Sequence, residues 1–375
     1  MSRFTYTWRS MRSVRMRKVS LILGVGAAVA IMALTAASSA AGQTATAGAS
    51  PYPSYPSLKG KTFYLVTYWL DSYGQALSAW SQKWAKAEGV TLKVIDGKGD
   101  ATAQRNALDT AIVTKPAGIL WQPIATAGAG PEVKKIWKAG IPLVIYGSAL
   151  DPKTTGVSVP AVVVNDYKAT YKAGQIAAAD VAKFWPGTPP KVVAFDARQI
   201  PLCAERIAGF LAGLKQAAPN TVIVFHDDVA TDEVTSRAKM QDVITATPGF
   251  NVVMACGSNA ALGQISALQS AGRAKAVSKV PQTEWILAMD GTPPELTDLF
   301  DPTSAVMMSI TVTPRENATS NLNMLANVVT GKTPERKLVT KSVAGVILPA
   351  NCQQAVSIFN GEYGILKNFK PITCP

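Results

Sequence analysis

Histidine is almost absent from this chain, and His226 is the single one among 375 residues. A Ser-His-Asp or Cys-His catalytic arrangement would have to use that residue, and its place after an apolar segment favours a structural role instead. The motifs G-x-S-x-G, H-E-x-x-H and C-x-x-C and the Walker A loop are missing as well. We therefore expect no catalytic residues, no cofactor and no metal site, which favours a binding protein over an enzyme.

The positive charge is not arranged for binding nucleic acid. The formal net charge is +13, but residues 1–41 carry six lysines and arginines and no acid. The remaining basic residues are scattered, and no basic run is interleaved with aromatic residues. We therefore expect no nucleic-acid partner.

The amino terminus has the pattern of a secretory signal peptide. A basic stretch ends at Lys18, an apolar segment follows over 19–34, and small residues then offer cleavage after Ala40 or Ala41. We assign residues 1–41 to the signal and 42–60, rich in small residues and proline, to a flexible linker. The protein is thus expected to be exported and periplasmic or cell-surface associated; an uncleaved membrane anchor is the alternative.

Four cysteines lie beyond the signal: Cys203, Cys256, Cys352 and Cys374. An even number in an exported chain predicts disulfides, although four buried thiols remain an alternative. Three pairings are possible. Cys352 with Cys374 is the local one, and Cys203 with Cys256 would join two strand-end loops of one domain.

Apolar strand segments alternate with helical ones along most of the chain, which is typical of a doubly wound parallel sheet. In the first half the predicted strands are 63–68, 91–95, 117–121, 142–146 and 161–164. A helix over 166–184 and a proline-rich break at 185–190 follow, and the rhythm restarts. In the second half the predicted strands are 191–195, 221–225, 252–255, 285–289 and 305–310, and a helix over 315–329 is followed by irregular strands to the carboxyl terminus. Two α/β halves with facing carboxyl edges make a cleft that can close around a ligand.

One strand of the second half ends on an acid. The apolar run 285–289 leads into Asp290 and Gly291, and Thr292 before Pro293 is a good helix N-cap. Because ligands bind at the carboxyl ends of strands in open α/β sheets, Asp290 is a candidate ligand contact. The alternative is an acid that only caps a turn.

Four segments of the chain carry a family resemblance. Residues 203–210 contain an "RxxGF" helix, and 251–272 resemble an "NDxxALGAxxALxxAG" segment. Residues 286–293 match a "DGTP" strand and turn, and the pair 118–123 and 140–144 resembles "GIII.P" followed by "GIPVV". In this order they resemble the sugar-type solute-binding proteins of bacterial ABC transporters, the ribose/galactose-binding group with the type I periplasmic-binding fold.

This resemblance, over about residues 61–347, implies a protein that captures a small polar solute and delivers it to ABC permease subunits without transforming it. It implies two lobes joined by three crossings near 164–166, 312–314 and 342–345. The expected amino-terminal lobe is 61–164 plus 313–342, and the carboxyl-terminal lobe is 165–312 plus 343–375. We expect the protein to act as a monomer.

The ligand of such a protein would be a carbohydrate or a similar small molecule. Sugar capture uses carboxylates and amides as hydrogen-bond partners and aromatic planes for stacking. Asp290 aligns with the acid that the family uses to accept hydrogen bonds from ligand hydroxyls, and Arg206 matches a family arginine whose role is more often structural. The candidate ligand-binding residues are Tyr68, Trp69, Asp71, Tyr73, Trp121, Gln122, Tyr146, Asn165, Arg206, Asn259 and Asp290.

The chain departs from the family pattern at three expected sugar contacts. Ala204 stands where the ligand arginine is common, Gly257-Ser258 replaces the ligand asparagine and its neighbour, and Gly147 stands where many members carry an acid. The sequence therefore leaves open a solute with fewer hydroxyl groups, or one better suited to contact with aromatic side chains. Two other functions stay open: a sensing module that presents its ligand to a membrane receptor, and an exported enzyme such as a glycosidase.

Overall fold

The computed structural model describes residues 58–344, 346–349 and 352–374. The predicted signal peptide, 1–41, lies outside the described residues, as does the predicted linker up to residue 57. Among the described residues, no helix has the length and apolar character needed to cross a bilayer.

Strands and helices alternate along the chain. The strands are β1 (Thr62–Thr67), β2 (Thr91–Asp96), β3 (Gly118–Trp121), β4 (Leu143–Gly147), β5 (Ala161–Asn165), β6 (Lys191–Asp196), β7 (Val222–Asp228), β8 (Val252–Ala255), β9 (Ala276–Val277), β10 (Val280–Pro281), β11 (Trp285–Met289), β12 (Val306–Thr311), β13 (Thr340–Ala344) and β14 (Val346–Pro349). The helices are α1 (Ser72–Glu88), α2 (Ala101–Val113), α3 (Gly130–Lys138), α4 (Pro152–Thr155), α5 (Asp166–Phe184), α6 (Pro201–Ala217), α7 (Glu233–Ala246), α8 (Ser258–Ser270), α9 (Pro293–Phe300), α10 (Pro314–Val329) and α11 (Cys352–Tyr363).

Two six-stranded sheets organise the molecule. The first has the order β13-β5-β4-β3-β1-β2 and the second has the order β14-β12-β11-β8-β6-β7. All pairs within them are parallel except β12 with β14. The predicted α/β fold with two doubly wound sheets is confirmed.

Each sheet is covered on both faces, which explains why its central strands are continuous apolar runs. In the first sheet, Phe63 and Leu65 of β1 lie in one buried cluster with residues of α1 and α10, while Tyr64 and Val66 lie in another with residues of α2 and α3. The second sheet is built the same way, with α5 and α6 on one face and α7, α8 and α9 on the other.

Local sequence fixes where the helices begin and end. Asp71 caps α1 by accepting a hydrogen bond from the backbone N–H of Gly74 at 2.8 Å, and Gly89 ends α1 with a left-handed φ of 67°. Asp232 caps α7 in the same way through the N–H of Thr235. Thr292 precedes α9, and Glu295 accepts the Thr292 backbone N–H as in a capping box.

The chain passes between the two sheets at three places. β5 of the first sheet ends at Asn165, and α5, which begins at Asp166, covers the second sheet. β12 of the second sheet ends at Thr311, and α10 covers the first. β13 and β14, on either side of residue 345, belong to different sheets.

The carboxyl terminus corrects one prediction. The sequence favoured only irregular strands after α10, but α11 forms over Cys352–Tyr363. Its residues Phe359 and Tyr363 are buried in the core of the second sheet, while the Glu362 carbonyl accepts a hydrogen bond from the Trp80 indole of α1 at 2.8 Å. Contacts distant in sequence therefore hold this helix, and a local pattern does not reveal them.

Candidate functional site

A cavity of about 140 Å³ lies where the carboxyl ends of the two sheets face each other. Loops after β1, β3 and β4 line it from the first sheet. The start of α6 and the loops after β7, β8 and β11 line it from the second. Its polar and aromatic lining residues are Thr67, Tyr68, Trp69, Asp71, Tyr73, Gln122, Tyr146, Ser148, Arg206, Thr231, Ser258, Asn259, Asp290 and Asn317.

Arg206 is the centre of a buried charge network on the floor of the cavity. Its Nε donates to Asp166 Oδ2 at 2.6 Å, and its Nη1 lies 2.8 Å from both Asp290 Oδ1 and the Cys256 carbonyl oxygen. The Asp166 and Arg206 side chains are 0% and 7% exposed, whereas that of Asp290 is 20% exposed. Burial alone would lower the pKa of Arg206, but the carboxylates of Asp290 and Asp166 raise it overall, so the guanidinium stays charged and fixes Asp290.

Asp290 adopts a backbone conformation that is uncommon for a residue with a side chain. Its φ is 77°, in the left-handed region, and Gly291 follows with φ 59°. The Asp290 N–H donates to the Ile310 carbonyl oxygen at 2.7 Å, and Oδ2 accepts the N–H of Ser258, the first residue of α8, at 2.9 Å. The positive end of α8 thus stabilises the carboxylate. An unusual backbone held by surrounding bonds is typical of a functional position.

Asp71 is the second carboxylate of the cavity and lies at the start of α1. Burial raises its pKa from 3.8 to about 6, the Gly74 N–H opposes that shift, and the negative charge of Asp290 adds to it. No cation among the described residues offsets the charge of Asp71 as Arg206 does for Asp290.

Aromatic side chains form much of the wall contributed by the first sheet. Tyr68, Trp69 and Tyr73 follow β1, and Tyr146 lies in β4. A Cβ at Gly99, whose φ is +66°, would lie 2.0 Å from Trp69 Cζ3, so only glycine lets the indole rest in this position. The Tyr73 hydroxyl accepts a hydrogen bond from Asn317 Nδ2 at 2.9 Å.

A hydrogen bond joins the cavity-lining loops of the first sheet to those of the second. The hydroxyl groups of Tyr68 and Thr231 are 2.6 Å apart, although these residues are 163 positions apart in sequence. On the first-sheet side, the Tyr68 backbone N–H also donates to Gln122 Oε1 at 3.3 Å.

The structure contains two disulfides, and both follow pairings that the sequence left open. Cys203 on α6 is bonded to Cys256 after β8, and both line the cavity. Cys352 at the start of α11 is bonded to Cys374 in the tail. Since Cys256 also accepts a hydrogen bond from Arg206, the first disulfide fixes the wall that carries Asp290.

Nine of the eleven predicted ligand residues lie around this cavity, and two do not. Trp121 points to the opposite side of its sheet, where its buried indole donates to Gln104 Oε1 at 3.2 Å. This follows from the alternation of side chains along a strand, which places the next residue, Gln122, in the cavity. Asn165, at the end of β5, is exposed and outside the lining.

The three departures from the family pattern have different structural settings. Gly147 lines the cavity with φ +87°, in the left-handed region that favours glycine, and a Cβ there would lie 3.1 Å from Gln122 Nε2. Gly257 also lines the cavity, and a Cβ there would meet Asp290 Oδ2 at an ordinary 3.4 Å. Ala204 lies on α6 outside the lining.

Sequence reasoning missed five polar lining residues: Thr67, Ser148, Thr231, Ser258 and Asn317. Ser148 and Thr231 follow β4 and β7, so their strand-end positions were a usable signal. Asn317 lies in the first turn of α10, and no local pattern connects it with the cavity. His226 has the structural setting expected of it: it lies in β7, outside the lining, with Nε2 2.9 Å from Asp196 Oδ2.

The sequence matches known proteins over most of the described residues. The family model described as "Periplasmic binding protein domain" matches residues 63–333. Over 193 residues, the chain is 25% identical to the ABC transporter periplasmic-binding protein YphF of Escherichia coli K12; the match covers 51% of this chain and 58% of that relative's length.

Solved structures share the fold at lower identity. A Mycobacterium smegmatis protein in complex with β-D-fucofuranose is 21% identical, with a TM-score of 0.68 over 81% of this chain and 96% of that one. A Bacillus halodurans ABC transporter solute-binding protein with bound myo-inositol is 16% identical, with a TM-score of 0.65 over 82% of this chain and 99% of that one. On its fold, and on a family model that spans most of its length, the chain belongs to the periplasmic binding protein family.

Proposed function

We propose that this protein captures a small, polar, sugar-like solute in the cavity between its two sheets and delivers it to an ABC permease outside the cytoplasm. The observation that carries the proposal is the position of Asp290. A carboxylate is fixed in a left-handed backbone at the carboxyl end of a central strand, opposite a wall of aromatic side chains. Carboxylates that accept hydroxyl hydrogen bonds and aromatic planes that stack on C–H faces suit a polyhydroxylated ring.

The size of the cavity supports a single small molecule. A volume of about 140 Å³ is small beside ligand pockets in general, which favours a monosaccharide-sized solute over a polymer. The solved relatives in complex with β-D-fucofuranose and myo-inositol carry ligands of this size class. We propose that the ligand leaves chemically unchanged, in keeping with a family of binding proteins.

Hinge bending between the two sheets is the proposed mode of capture. The two sheets contribute opposite walls, and the Tyr68–Thr231 hydrogen bond joins these walls at 2.6 Å. We propose that this contact forms as the lobes close on the ligand, with residues 61–164 plus 313–342 in one lobe and 165–312 plus 343–375 in the other. Water is then excluded and the hydrogen bonds to Asp290 strengthen.

We infer that the protein is exported and acts as a monomer. The basic and apolar pattern of residues 1–41 and the two disulfides support an oxidising compartment. Removal of the signal is testable by the mass of the protein recovered from the periplasm or medium.

Thermal-shift screening of the mature protein tests the proposed function. The panel comprises sugars, polyols, nucleosides and amino acids, and a ligand at a hundred times its dissociation constant adds about 3 kcal/mol of stability. Asp290→Asn is expected to abolish the shift, whereas Asp109→Asn, at an exposed carboxylate on α2, is expected to preserve it. A normal shift in the Asp290 variant, or a shift with amino acids alone, would contradict the proposal.

A further inference from the structure

The cavity carries an excess of negative charge. Asp71 and Asp290 line it, and Asp166 lies directly behind Arg206. Arg206 is the one cationic side chain among the described lining residues, and Asp166 and Asp290 both pair with it. Two of the three carboxylates thus share a single guanidinium, and no cation among the described residues pairs with Asp71.

The environment of Asp71 shows that this excess has an energetic cost. Burial raises its pKa to about 6, and the negative charges of Asp290 and Asp96 contribute in the same direction. A buried carboxylate next to another carboxylate is stabilised when a cation approaches it. The same field repels carboxylate and phosphate groups, so an acidic ligand is disfavoured.

Two further features of the cavity suit a cationic hydrogen-bond donor. The rings of Tyr68, Trp69 and Tyr73 lie on the same wall as Asp71, and aromatic faces attract ammonium groups. Independently, Tyr146 is 1% exposed and lines the cavity, yet its hydroxyl has no hydrogen-bond partner of normal geometry among the described residues. Burial raises the pKa of Tyr146, and the neighbouring Thr67 side chain opposes that rise. A buried hydroxyl without a partner points to a polar ligand group that completes it.

We propose that the solute bound here carries a protonated amine on a small polyhydroxylated frame, with the ammonium group beside Asp71 and the hydroxyl groups toward Asp290. This inference rests on the proposed binding of a small polar solute and narrows it from sugars in general to amine-bearing ones.

Calorimetric titration with matched sugars tests the charge preference directly. The probes are D-glucosamine, D-galactosamine and D-mannosamine, each compared with its parent hexose, together with D-glucuronate and D-galacturonate, all near neutral pH. At least one amine is expected to bind ten or more times more tightly than its parent hexose, and the uronates are expected to show no binding. A parent hexose that binds as tightly as its amine overturns the inference and leaves the proposed function standing.

The Asp71→Asn variant separates charge from shape. Asparagine is also a good N-cap, so α1 is expected to keep its start. The ratio of the amine's affinity to that of the parent hexose is expected to fall tenfold or more, whatever loss the two ligands share because Asp71 lines the cavity. Equal losses for both ligands overturn the inference. If neither this set nor the wider panel produces any binding, both the inference and the proposed function fail.

Proton release provides a second readout. Asp71 is faced by Asp290, Asp96, Tyr68 and Tyr363, and the pKa values of both tyrosines are raised. Near pH 6 a bound ammonium is expected to expel the proton from Asp71, so the apparent binding enthalpy will vary with the ionisation enthalpy of the buffer. The Asp71→Asn variant is expected to lose this dependence. An amine that binds without proton release in the parent protein overturns the placement beside Asp71.

Discussion

The Tyr68 hydroxyl lies 2.6 Å from the Thr231 hydroxyl, and this bond connects the loop after β1 in the first sheet with the loop after β7 in the second. If it stabilises the closed form, Tyr68→Phe is expected to weaken ligand binding about three- to tenfold, the worth of a neutral hydrogen bond. Stopped-flow measurement is expected to place the change mainly in the dissociation rate.

A double-mutant cycle isolates this contact. Thr231→Ala removes the same hydrogen bond, so the double variant is expected to bind little worse than either single variant. Tyr167→Phe, at an exposed tyrosine on α5, serves as the matched control and is expected to have no effect. Additive losses from Tyr68→Phe and Thr231→Ala would show that the bond does not couple the two loops.

Arg206→Met is expected to destabilise the fold strongly. The substitution leaves Asp166 and Asp290 without their shared cation, and breaking a buried ion pair in this way costs about 3–5 kcal/mol. Urea denaturation measures the loss. Arg105→Met, at an exposed arginine on α2 whose guanidinium bonds to the Thr102 hydroxyl, is the control and is expected to cost less than about 0.5 kcal/mol. Similar losses in the two variants would contradict the network.

Removing the two disulfides is expected to affect ligand binding very differently and stability only slightly differently. Their cysteines are 53 and 22 positions apart, so chain entropy predicts that removing the Cys203–Cys256 bond costs about 0.8 kcal/mol more than removing the Cys352–Cys374 bond. Replacing Cys203 and Cys256 by alanine is also expected to weaken ligand binding, because both line the cavity. The Cys352/Cys374 alanine pair is expected to bind normally, and calorimetry on both double variants checks this contrast.

Asp71 is expected to make the stability of the ligand-free protein depend on pH. Its pKa is about 6 in the folded protein and 3.8 in the reference state, so between these values the folded state binds more protons than the unfolded state. Stability therefore falls as pH rises from about 4 to about 6, by on the order of 2 kcal/mol, and is level above that range. Denaturation curves of Asp71→Asn are expected to lack this decline. Parallel pH profiles for parent and variant would contradict the assignment.

Gly99→Ala is expected to disturb the aromatic wall. Its Cβ would overlap the Trp69 indole, so the ring must move and ligand affinity is expected to fall tenfold or more. Gly187→Ala is the matched control, because Gly187 has a similar φ of +80° and open space around its Cβ position. Both variants carry the backbone strain, of about 1 kcal/mol, but only Gly99→Ala is expected to change binding and tryptophan fluorescence.

The regular elements were predictable because their patterns are local. The helix over Asp166–Phe184 has the predicted bounds, and the five strands predicted in the first half agree within about one residue. α11 and Asn317 were not predictable, since the contacts that place them join segments distant in sequence. Trp121 shows a second limit of prediction from sequence. Neighbouring residues of a strand face opposite sides of the sheet, so an error of one residue selects the wrong side chain. The residue that lines the cavity is Gln122.

The left-handed backbone at Asp290 also bears on how such a protein can diversify. With φ at 77°, position 290 favours glycine, asparagine and aspartate and disfavours β-branched side chains. The opposite wall has no such restriction at Asp71, whose φ is −67°. New ligand preferences are therefore more accessible through substitutions at the loop after β1 than at the strand end that holds Asp290.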